Sequence, residues 1–125
     1  MFEVRVESSF SAAHFLRDYH GKCENLHGHN YKVYAHARGT ELDEGGMLLD
    51  FGELKGALRK ACDELDHTNL NDVEEFMQNP SAERIAVHIY NRVVELCPEL
   101  KAGRVKLYAV DVFETDTSRA RYIAE

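Results

Sequence analysis

Cys23, His27 and His29 fall within the stretch CENLHGHN (23–30) of a chain that holds only three cysteines. Two histidines two positions apart leave a β-strand on one face, where their imidazoles can grip a single metal ion. A catalytic zinc commonly takes three protein ligands and keeps a fourth position open, so a third donor is required. His14, in SFSAAHF, is the candidate, because a hairpin-like return would bring the end of a first strand beside the start of a second. Gly28 between the histidines leaves room for close approach of the backbone. Cys23 either closes such a site as a fourth ligand or stands beside it as a thiol whose pKa the cation lowers. The same H-x-H pattern also fits two partly exposed histidines with no ligand role.

Other residues carry a second layer of chemistry. Asp66-His67 pairs a carboxylate with an imidazole, an arrangement that orients the ring for acid and base work and equally suits the end of a helix, where the dipole favours histidine. Glu114, at the end of a strand, is either a solvated acid or a carboxylate able to accept two parallel N–H donors from the edge of a guanine or pterin. Glu83 reads as a favourable first-turn acid. Cys62 and Cys97 neighbour apolar helical stripes and read as small buried hydrophobes. His20, His36 and His88 are assigned to surface or core.

Alternation in FEVRVES and again from Gly28 to Arg38 predicts two strands. Leu54, Leu58, Ala61 and Leu65 then follow helical spacing after an Asp50/Glu53 capping box, and Asn79-Pro80 opens a second helix with its stripe on Ala86, Ile89, Val93 and Leu96. Strands return in RVKLYAVDVFE and RARYIA, separated by TDTS. The order ββααββ predicts an α+β fold, a four-stranded antiparallel sheet with two helices on one face, in a single domain spanning 1–125. The third strand reads as apolar on both sides, with Val105, Leu107 and Ala109 opposite Tyr108, Val110 and Val112. A second subunit is the simplest cover for the open face, so a homo-oligomer is expected.

With 15 Lys and Arg against 22 Asp and Glu, the net charge of −7 argues against nucleic acid as a partner. No apolar run approaches a membrane span, the N-terminus lacks the apolar core of a signal peptide, and the cysteines suggest no disulfide framework. A cytoplasmic location is the expectation.

C-x-x-x-H-G-H at Cys23–His29, the upstream His14, Asp66-His67, NPSAERIA and FET (113–115) together resemble the 6-pyruvoyl and 6-carboxytetrahydropterin synthase family over nearly the whole chain. The resemblance implies the tunnelling fold, in which three subunits join their sheets into a barrel and two trimers stack into a hexamer. It implies Zn2+ held by His14, His27 and His29, a substrate of 7,8-dihydroneopterin triphosphate, and active sites between subunits. Cys23 would be the general base, Asp66 and His67 its proton-relay partners, Glu114 the pterin anchor and Glu83 a further pterin-side acid.

The plain motif most resembles the bacterial carboxy branch, a lyase that releases triphosphate and acetaldehyde on the way to queuosine; the pyruvoyl branch shares substrate and zinc. Glu24 also satisfies E-x-x-H-G-H, the motif of a branch that uses glutamate as base and forms 6-hydroxymethyl-7,8-dihydropterin for folate. Ala82 departs from the hydroxyl residue expected beside Ser81. Arg17, Lys22 and Lys32 are candidate triphosphate-binding cations. A cupin-type oxygenase also uses H-x-H, but Val33 and Tyr34 stand where its glutamate is needed. A zinc-stabilised oligomeric pterin-binding protein, with Cys23 ligating the metal, is the non-enzymatic alternative.

Overall fold

The computed structural model describes residues 1–14, 26–76 and 79–125, and of His27 the backbone alone. Cys23 and Glu24, with Arg17, His20 and Lys22, lie outside the described residues. Strands β1 (Phe2–His14), β2 (His27–Gly39), β3 (Lys106–Thr115) and β4 (Ser118–Ile123) form one antiparallel sheet in the order β1-β2-β3-β4. Helices α1 (Phe51–Asp63) and α2 (Ala82–Leu96), followed by the short α3 (Pro98–Lys101), intervene between β2 and β3.

The core forms where the sheet meets the helices. Leu54, Leu58 and Ala61 of α1 and Ile85, Ile89 and Val93 of α2 are buried in one core with Val6 and Phe10 of β1, Tyr31, Val33, Ala35 and Ala37 of β2, and Leu107, Val110 and Val112 of β3. Cys62 and Cys97 are buried, and burial pushes the Cys62 thiol up to about 12, so it behaves as an inert hydrophobe. Arg92 of α2 grips Glu64 through two hydrogen bonds of 2.9 and 2.7 Å and fastens the helices together. At the end of β2 only glycine fits, because a Cβ on Gly39 would stand 2.7 Å from Leu48 Cδ1 and 3.0 Å from the Arg104 carbonyl.

Several local expectations change. The first strand runs on to His14, well beyond FEVRVES. Asp50 caps α1 as expected, but its carboxylate accepts from Gly52 N and not from Glu53 N. The cap of α2 is Ser81, whose hydroxyl accepts from Arg84 N, and not Asn79. The largest change is in β3. A bulge between His36 and Ala37 pairs Ala37 with Leu107 while Ala35 pairs with Val110. Leu107 therefore joins Val110 and Val112 on the helix side, and Tyr108 moves to the other.

That other face is polar instead of apolar. Asp111 is buried there, with two hydrogen bonds from Arg121 (2.7 and 2.9 Å) and His36 Nε2 at 2.7 Å. Arg38 lies 3.4 Å above the Tyr108 ring and Arg5 4.7 Å above Tyr34. Burial raises the Asp111 carboxyl, but the Arg121 and His36 bonds outweigh it and hold the group below its usual range. A depressed carboxylate stabilises fully above its unfolded value of about 3.9, and that contribution is lost as pH falls through the folded value. Asp111→Asn is expected to cost about 3 kcal/mol at neutral pH and to flatten the acid limb of the stability curve, as read by urea unfolding across pH.

Candidate active site

The register of β1 and β2 places His14 opposite His27 and Ala12 opposite His29, so all three histidines stand at one end of this strand pair. His14 is 1 % exposed. Its Nδ1 lies 2.9 Å from the Pro80 carbonyl. A carbonyl can only accept, so Nδ1 carries the donated proton and Nε2 is the atom left to face a cation. Glu114 Oε1 lies 3.0 Å from that Nε2 and 3.6 Å from His29 Nε2. The two imidazoles meet edge to face with centroids 5.1 Å apart.

Candidate ligand atoms of His14, His29 and Glu114 all lie within 4.8 Å of one another. Two imidazole nitrogens from neighbouring strands and a carboxylate, one imidazole oriented by a backbone carbonyl, are a donor set suited to zinc. The structure thus unites two of the three expected ligands and adds Glu114, which the sequence reading assigned to a pterin. Its proximity depends on β3 lying beside β2, where Glu114 is one step beyond the Lys32–Phe113 pair, and periodicity does not reveal strand order. The Pro80 carbonyl was missed for a similar reason: NPSAERIA signalled a helix start, not an orienting group for a distant histidine.

Asp66 and His67 follow α1 and dock on the free edge of β1. Ser11 N donates to Asp66 Oδ1 at 2.8 Å, His67 N to the Ser11 carbonyl at 2.6 Å, and Ala13 N to the Thr68 carbonyl at 3.1 Å. The Ser11 N–H and the His67 ring hold the Asp66 carboxyl below its ordinary value. Asp66 Oδ2 lies 2.8 Å from His67 Nδ1, as the orienting role requires. His67 adopts φ 56°, a left-handed conformation costly for a residue with a Cβ, and its side chain is 82 % exposed. It therefore points outward, fixed by its backbone.

A cavity of about 520 Å³ opens here, with Ser11, His29, Asn30 and His67 in its walls. That volume suits a small ligand. Gly28 also lines it, but a Cβ there would meet only the Ala12 carbonyl at 3.8 Å, an ordinary contact, so close backbone packing is not its reason. Glu83 is exposed on the first turn of α2 and borders a separate cavity of about 260 Å³ with Glu75, Arg84 and His88.

The sequence profile of the family described as 6-pyruvoyl tetrahydropterin synthase matches residues 3–125. A Synechocystis protein named 6-carboxy-5,6,7,8-tetrahydropterin synthase is 37 % identical, with 99 % of this chain and 95 % of that protein covered. The human 6-pyruvoyl tetrahydrobiopterin synthase is 38 % identical, over 98 % of this chain and 92 % of its own. In three dimensions the Caenorhabditis elegans 6-pyruvoyl tetrahydropterin synthase superposes with a TM-score of 0.86 at 30 % identity, covering 99 % of this chain and 96 % of that one.

Proposed function

Because the chain belongs to the 6-pyruvoyl tetrahydropterin synthase family, we propose that it converts 7,8-dihydroneopterin triphosphate to 6-carboxy-5,6,7,8-tetrahydropterin, with loss of triphosphate and acetaldehyde, on the route to queuosine. The observation that carries this reading is the His14–His29 pair, with His14 oriented by the Pro80 carbonyl and His29 in the wall of a ligand-sized cavity. Near-equal identity to carboxy and pyruvoyl relatives does not choose a product; the name of the bacterial relative supports the carboxy outcome.

His14, His27 and His29 would hold zinc. Bound there, it supplies a Lewis acid that polarises the side-chain hydroxyls of the substrate and acidifies the adjacent C–H. Cys23, as thiolate, takes that proton, and Glu24 is the second candidate base. His67, held by Asp66, delivers a proton at Nε2, the ring atom left over once Nδ1 faces the carboxylate. Glu114 accepts the ring N–H and amino group of the pterin; Glu83, on the separate cavity, would be the further pterin-side acid.

An exposed His67 fits a residue that completes the site of a neighbouring copy. Three chains would close their sheets into a barrel through the edges of β1 and β4, with stacked trimers forming a hexamer in the cytoplasm. Phe2, Met47 and Phe51, exposed near the start of β1, would supply apolar contact area.

Anaerobic incubation of the zinc-loaded protein with 7,8-dihydroneopterin triphosphate, read by product mass, tests this function. The carboxy pterin is the expected product; a pyruvoyl or hydroxymethyl pterin would move the protein to another branch, and no turnover would end the proposal.

A further inference from the structure

Tyr31 is 0 % exposed, and its hydroxyl is buried with no hydrogen-bond partner among the described residues. The ring accounts for its packing. It stacks on Phe10 with centroids 4.7 Å apart and meets His14 and His29 edge to face at 5.8 and 5.5 Å. A phenylalanine would make every one of these contacts without burying an unsatisfied polar group, which native interiors avoid. The oxygen therefore needs a reason beyond packing.

Glu114 supplies one. It follows the Lys32–Phe113 pair directly, so it stands at the β3 position beside Tyr31, and its Oε1 lies 3.0 and 3.6 Å from the Nε2 atoms of His14 and His29. A carboxylate has about four acceptor sites across its two oxygens and can take a further donor. A phenol is protonated at neutral pH, and its O–H can donate to a carboxylate, which only accepts.

We propose that Tyr31 is the positioning residue of Glu114, donating its hydroxyl hydrogen to the Glu114 carboxylate when that carboxylate turns to grip the pterin edge. This rests on the pterin-anchoring reading above. The hydroxyl fixes the carboxylate plane, so that both oxygens present to the ring N–H and amino group together.

The test compares wild type, Tyr31→Phe, Glu114→Gln and the double variant, all zinc-loaded. Neopterin binding is read by fluorescence, KM and kcat by product formation, and melting temperature without pterin. Tyr31→Phe is expected to melt no lower than wild type, to bind neopterin about tenfold more weakly, and to raise KM with little change in kcat. In the double variant Tyr31→Phe should add nothing to the loss from Glu114→Gln, because the hydroxyl acts through that carboxylate. Three results would overturn the inference: wild-type binding by Tyr31→Phe, a penalty that adds in full to that of Glu114→Gln, or a clear fall in melting temperature, which would mean the hydroxyl is already paired in the free chain. If wild type itself binds no neopterin and turns nothing over, the pterin reading fails first and takes this inference with it.

Discussion

Cys23→Ala is expected to retain one zinc per chain and to lose turnover by about a thousandfold, within the range by which a positioned base accelerates proton transfer. The two readouts separate the roles open to this thiol. A ligand lost would release metal; a base lost leaves metal in place and slows only the chemistry. His14 and His29 already bring two imidazole nitrogens together and His27 stands opposite His14 in the strand register, so a metal can be gripped there without sulfur. Metal analysis after gel filtration, alongside product formation by mass, gives both numbers from one preparation. If Glu24 is the working base, Cys23→Ala retains turnover and Glu24→Ala loses it, with the hydroxymethyl pterin as product.

His14→Ala has the converse signature. Zinc affinity should fall by more than about 100-fold, exceeding the roughly 10–100-fold typical of losing a group that only hydrogen-bonds to a ligand, and turnover should fall with it. His14 is buried, its Nδ1 is committed to the Pro80 carbonyl, and no other described residue can present a nitrogen from that position. His14→Gln restores bulk and polarity but not the imidazole, so it should fold and still fail to hold metal. Competition with a chromophoric chelator measures the affinity, and retention of wild-type affinity by both variants would remove His14 from the metal centre.

The parts of the site that lie close in sequence were legible from residue types. H-x-H on an alternating segment put both histidines on one strand, and the return of one strand on another singled out His14, now found opposite His27 in the register. The buried thiols of Cys62 and Cys97 followed from the helical stripes beside them. What escaped depends on long-range pairing. The bulge at Tyr108 reverses the faces of Lys106 and Leu107 relative to the rest of β3, and nothing in VKLYAVDVF distinguishes a bulged strand from a regular one. The Asp111–His36–Arg121 network escaped for the same cause, since its members come from three strands. Asn79 gave way to Ser81 as a cap because both residue types suit that role and only the backbone decides between candidates two residues apart. Left-handed His67 was hidden because a histidine carries no signal for positive φ, whereas a glycine would have.

X-ray absorption at the zinc edge of the wild-type protein tests most directly the claim that imidazoles hold the metal while the thiol stands off it. The expected spectrum shows a shell of nitrogen and oxygen scatterers at about 2.0–2.1 Å, with imidazole outer-shell features and no sulfur. A sulfur scatterer at about 2.3 Å would place Cys23 on the metal, close the site and contradict the catalytic account.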